Sequence, residues 1–95
     1  MSAIVPLKEK TLPATCYVFK HSTSCPISAH AAREMEASRT DLPIYSIEVR
    51  EQRELSNWVA QVYGVTHESP QLILLREGKA EKVWNHFEVR KQIVS

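Results

Sequence analysis

Along this chain the spacing of hydrophobic and polar positions changes several times, and each change predicts an element. Cys16-Tyr17-Val18-Phe19 is a short apolar run ending in a polar, hydroxyl-rich turn, and reads as a strand over residues 16–20. From Pro26 to about Ser38 the apolar residues Ile27, Ala31 and Met35 recur every fourth position, on one face of a helix. Ala29 and Ala32 are small enough to let that helix lie close against a sheet. Asp41-Leu42-Pro43 breaks it, and Ile44 to Val49 alternates as a second strand. Leu55, Trp58, Val59 and Val62 follow the i, i+3, i+4, i+7 spacing of a helix running from about Glu51 to Tyr63. Gly64 sits where its C-terminal cap is expected. Pro70 stands just before the apolar run Leu72-Ile73-Leu74-Leu75, a buried strand. Glu77-Gly78 is a hairpin turn signal, and Lys79 to Trp84 makes the fourth strand. Asn85 with Glu88 resembles a capping box for a last short helix carrying Val89 and Ile93. Residues 1–14 show no clear period. Pro6 and Pro13 argue against one continuous helix there, and a short edge strand or a partial helix both remain open.

The element order is βαβ, then α, then a ββ hairpin, then α. A βαβ unit implies two parallel strands joined by a right-handed crossover, and the hairpin adds antiparallel strands. The expected fold class is α/β, a four-stranded mixed sheet flanked by helices, in one domain over residues 1–95. Composition agrees with that size: 95 residues at 43% hydrophobic can build one core. Twelve Lys and Arg balance eleven Asp and Glu, so no strong field points to nucleic acid or anionic lipid. Ala3-Ile4-Val5-Pro6-Leu7 is too short for a signal peptide and is followed at once by charge. No apolar run approaches the roughly 20 residues of a membrane span. A soluble, cytoplasmic protein is expected, meeting its partner through a local site.

That site centres on Cys25. Proline favours the first helical position, so Pro26 puts Cys25 at or near the N-cap. There the free N–H groups and the dipole stabilise a thiolate, and such placement lowers a cysteine pKa from about 8.5 toward 3.5–7.5. The plainer alternative is a buried structural cysteine beside an ordinary helix start. Cys16 is too far along the strand to pair with it: the strand alone separates them by roughly 15 Å, whereas a disulfide needs Cα atoms within about 7 Å. Two cysteines at this spacing match no zinc pattern, and no metal is expected.

The block Phe19-Lys20-His21-Ser22-Thr23-Ser24-Cys25-Pro26-Ile27-Ser28 resembles the active-site motif of the monothiol bacilliredoxins, the YtxJ-like redox proteins of the bacillithiol system. Ser24 replaces the threonine usual before the cysteine. His67-Glu68-Ser69-Pro70-Gln71 resembles the family's later motif. The resemblance implies a thioredoxin-like fold, with Pro70 cis and facing Cys25. Base rates alone favour trans, since about 5–6% of X–Pro bonds are cis. It also implies that the backbone of Ser69 pairs with the substrate like an added strand. Cys25 and Ser28 would be the catalytic pair, with Ser24, Pro26, His21, Ser69 and Pro70 binding substrate.

Thiol–disulfide exchange needs an accessible thiolate and a partner disulfide. Ser28 stands where a dithiol enzyme has its resolving cysteine, so it can hydrogen-bond the thiolate but cannot end the reaction internally. By resemblance, the partners are S-bacillithiolated client proteins, and bacillithiol serves as co-substrate with no bound cofactor. Lys20 or a protonated His21 could place positive charge near the sulfur or contact bacillithiol carboxylates. Otherwise Lys20 is a solvated strand-end residue and His21 packs on the loop. His67 could flank the groove, and His30 and His86 read as surface residues. Two rivals stay open: a monothiol redoxin using glutathione or coenzyme A, and a non-catalytic binding module.

Overall fold

The computed structural model describes residues 4–94. Its elements are β1 (Ile4–Pro6), β2 (Cys16–His21), α1 (Pro26–Ala37), β3 (Ile44–Glu48), α2 (Arg53–Tyr63), β4 (Gln71–Arg76), β5 (Lys79–Asn85), a 3-10 turn (His86–Glu88) and α3 (Lys91–Val94). The five strands form one mixed sheet in the order β1-β3-β2-β4-β5. β3 lies parallel to both β1 and β2, while β4 runs antiparallel to β2 and β5. The α/β class and the order expected from β2 onward hold. The sheet has five strands instead of four, because residues 4–6 pair with β3. Three residues at an edge carry too little periodicity to be read from sequence.

Both faces of the sheet are covered, which is why β2 and β4 read as unbroken apolar runs. Tyr17 and Phe19 of β2 and Leu72 and Leu74 of β4 pack with Ala31 and Met35 of α1 and Val94 of α3. Cys16, Val18, Ile73 and Leu75 point the other way, to Val59 of α2. Leu55 and Trp58 join that second core partly buried, so the stripe on α2 faces the sheet as expected. Val62, the last of the stripe, stays 56% exposed.

Helix ends follow local rules. Cys25 is the N-cap of α1, with Pro26 at the first helical position. Gly64 closes α2 in the left-handed region at φ 65°, where a side chain would be strained. Glu77 and Gly78 form the two-residue β4–β5 turn, both at positive φ. Asn85 and Glu88 make the expected capping box, but it heads the 3-10 turn; the helical residues come later, in α3.

Candidate active site

β2 and β3 run parallel, with His21 level with Glu48, so both strands end at the same edge of the sheet. The segments that follow them lie side by side there, tied by Val49 N–H donating to the His21 carbonyl at 2.9 Å. This edge holds the turn from Ser22 to Cys25. Ser22 organises it: its carbonyl accepts from Cys25 N–H at 3.3 Å, and its Oγ accepts from Ser24 N–H at 3.4 Å. The turn delivers a partly exposed Cys25 to the start of α1.

The Cys25 thiol is held below its ordinary value. The Ser28 backbone N–H is the largest cause and the Ile27 N–H the next; partial desolvation opposes them, and the Ser28 hydroxyl adds a smaller lowering. These are the unsatisfied donors of a helix first turn, directed at a developing anion. Cys16 behaves in the opposite sense. It is fully buried in β2, and desolvation pushes its thiol up to about 11. One cysteine is a reactive thiolate candidate and the other a core thiol.

Ser28 is buried and connects three parts of the site. Besides the thiol, its Oγ accepts from Ser22 N–H at 3.1 Å and lies 3.4 Å from Ser69 Oγ. Ser69 precedes Pro70 across a cis peptide bond, as the resemblance implied. The hydroxyl contact brings the α2–β4 loop up to the first turn of α1. The Pro70 carbonyl accepts from His86 N–H at 2.8 Å, and His86 Nε2 pairs with Glu68 at 3.1 Å. His86 lies on the surface, as expected, and also braces this loop.

Lys20 does not stand where the sequence put it. Lys20 is fully buried, with its side chain on the α2 side of the sheet, so it is not the solvated strand-end residue that was one expectation. Its Nζ donates to the Ser56 carbonyl at 3.0 Å and lies 3.4 Å from His67 Nδ1. Desolvation lowers its pKa to about 8. His21 is half-buried and stacked on Phe19, with ring centroids 5.1 Å apart. Burial lowers its pKa, and the Glu48 carboxylate only partly opposes this, which disfavours the charged ring. The positive group at the edge is one that sequence reasoning missed. The Arg50 guanidinium donates to Ser24 Oγ, next to Cys25. Parallel pairing of β2 and β3 was the signal that could have found it, since it brings the residues after Glu48 beside Ser22–Ser24.

Comparison with known proteins fits this geometry. The sequence model of the family described as monothiol bacilliredoxin BrxC matches residues 2–94. The chain belongs to the monothiol bacilliredoxin family. Among solved structures, one provisionally described as an oxidoreductase with a thioredoxin fold superposes with a TM-score of 0.79 at 26% identity, over 95% of this chain and 88% of that one. Thioredoxin NaTrxh from Nicotiana alata gives 0.56 at 22% identity, over 97% and 86% of the two chains. Reduced desulfothioredoxin from Desulfovibrio vulgaris Hildenborough gives 0.56 at 18%, over 98% and 93%. The last two speak for the fold alone, and the fold is the thioredoxin fold. As in a monothiol bacilliredoxin, Cys25 has no second cysteine one turn on; that position is Ser28.

Proposed function

We propose that this chain is a monothiol thiol–disulfide oxidoreductase that removes bacillithiol from S-bacillithiolated proteins. One observation carries the reading: an accessible N-cap Cys25, its pKa lowered by the Ser28 and Ile27 N–H groups, with a hydroxyl where a resolving thiol would stand. The Cys25 thiolate attacks the bacillithiol sulfur of a protein–bacillithiol disulfide. The old S–S bond breaks, the client leaves as a thiolate that takes a proton from water, and Cys25 carries bacillithiol through a new S–S bond. A second bacillithiol thiolate then attacks the bound bacillithiol sulfur. This releases bacillithiol disulfide and regenerates the Cys25 thiolate, so electrons balance with no bound cofactor. Ser28 supports both halves by hydrogen-bonding the sulfur whenever it is anionic. Ser69, held next to Ser28, offers its backbone to an extended client segment. Arg50 and Ser24 line the approach.

The test is intact mass after reduced protein is incubated with bacillithiol disulfide at neutral pH, beside Cys25→Ala. One bacillithiol adduct on the wild type and none on Cys25→Ala is the expected result. Reaction with glutathione disulfide alone would keep the chemistry and change the thiol. Adduct formation with neither would leave a thioredoxin-fold binding module.

A further inference from the structure

The buried face behind the active site contains a cation that the exchange chemistry does not use. Lys20 has no exposed surface, and among the described residues no carboxylate lies within ion-pair distance of its Nζ. A buried ammonium without a counter-ion is costly, and an apolar side chain of similar volume would pack there more favourably. Its presence calls for a local reason, and its contacts supply one. Nζ reaches past the sheet to α2, at the Ser56 carbonyl, and to His67 Nδ1 in the loop between α2 and β4. Ser56 Oγ lies 3.2 Å from the same nitrogen. Nδ1 thus faces an ammonium and a hydroxyl, so it is the acceptor and His67 carries its proton on Nε2. Burial and the Lys20 charge both disfavour a second proton on that ring.

Gln71 completes the arrangement. It is the cross-strand partner of Lys20 and equally buried, and its Nε2 donates to the Thr66 carbonyl and to Asn85 Oδ1, each at 2.9 Å. From Thr66 to Pro70 every residue of the loop is held: Thr66 by Gln71, His67 by Lys20 and Ser56, Glu68 and Pro70 by His86, and Ser69 by Ser28.

We infer that Lys20 is a positioning residue: through His67 it fixes the Thr66–Pro70 loop so that the Ser69 backbone is presented, already ordered, to the client segment beside Cys25. The amine sets the loop height above the sheet, and the helix-cap donors set the sulfur chemistry independently. Its consequence for turnover rests on the exchange reading above; its consequence for loop order does not.

The test compares wild type, Lys20→Met and His67→Ala by three measurements. Amide hydrogen exchange at the two ends of the loop, at Val65 N–H bonded to the Ala60 carbonyl and His86 N–H bonded to the Pro70 carbonyl, is expected to speed up about tenfold or more in both variants, because the loop then opens locally. Iodoacetamide alkylation of Cys25 is expected to stay within about twofold of wild type, since the N-cap donors are untouched. Turnover of a protein–bacillithiol mixed disulfide is expected to fall by about ten- to a hundredfold, the scale on which small misplacements act. If Lys20→Met does not fold, His67→Ala decides, because it cuts the same link from the exposed side of the loop. Unchanged loop exchange in a folded variant would overturn the inference. So would alkylation that falls in step with turnover, since Lys20 would then act on the thiolate. A wild type that turns over no mixed disulfide while the variants still loosen the loop would sink the exchange reading and leave the positioning role standing.

Discussion

Three donors lower the pKa of the Cys25 sulfur, and their order matters for what a substitution can do. Backbone N–H groups of Ser28 and Ile27 act more strongly than the Ser28 hydroxyl. Ser28→Ala keeps both backbone donors and removes only the side chain. The pH midpoint of Cys25 alkylation should therefore move up toward the ordinary thiol range without reaching it. At pH 7 the alkylation rate should fall by about two- to fivefold, the scale of one net hydrogen bond. A rate profile of the variant that overlays the wild type would mean that the hydroxyl does not reach the sulfur. The places of Cys25, Pro26 and Ser28 at the start of α1 were legible in the sequence because helix-start rules are local. Pro70 was legible only through a motif, since propensity alone favours trans. Lys20 was not legible at all. Its surroundings are Ser56 and His67, 36 and 47 residues away, and strand periodicity cannot say what a distant loop offers an amine.

At the level of elements, the β4–β5 hairpin holds backbone strain that a single change should relieve. Glu77 at φ 55° and Gly78 at φ 78° form a two-residue turn with both residues left-handed, the pattern that favours Asn-Gly. Glutamate has no particular tolerance for that region, whereas asparagine visits it routinely. Glu77 lends its backbone N–H to Thr15 Oγ1 at 3.4 Å, and Gly78 its own to the Ala14 carbonyl at 2.9 Å; Asn keeps both. Glu77→Asn should raise stability by about 0.5–1 kcal/mol, or roughly 2–8 °C in Tm for a domain of this size. A thermal melt of the reduced protein that shows no gain would mean the turn is not strained at this position. The turn itself was readable from Glu77-Gly78. β1 was not, because a three-residue edge strand is specified by its partner β3 more than by its own residues. The capping box at Asn85 was also read correctly, yet a cap fixes where a turn begins and not whether it winds as α or 3-10.

For the whole molecule, the titratable groups whose pKa values folding shifts together set how stability varies with pH, and their signs differ. His21 and His67 have folded pKa values below 6.5, so the folded state resists their protonation. Stability should rise as pH climbs through those values to 6.5 and then level off. Lys20 falls from 10.5 to about 8 in the folded state. Burying its ammonium costs most below pH 8, and that cost fades between 8 and 10.5, so stability rises again there. Cys16 rises from 9.0 to about 11, which adds stability that is fully present below pH 9 and lost as pH climbs through 11. Tyr17 and Tyr63, raised by burial, add to the loss above 10. The sum predicts a rise to pH 9, carried by Lys20 above pH 8 and by Cys25, whose lowered thiol pKa favours the folded state as pH climbs to 9.0; a nearly level stretch follows while Lys20 and Cys16 offset each other, then a decline above 10. Between pH 8 and 9 the Lys20 share of the gain is on the order of 1 kcal/mol, since one pKa unit is worth about 1.4 kcal/mol and Lys20 is partly deprotonated at the start. Lys20→Met should remove the Lys20 share of that rise and begin its decline at pH 9, because nothing then offsets Cys16. Thermal melts of both proteins from pH 6 to 11, kept reduced, read this directly. Parallel curves above pH 8 would mean that the Lys20 amine titrates as it does in the unfolded chain, and so that water reaches it beneath the loop.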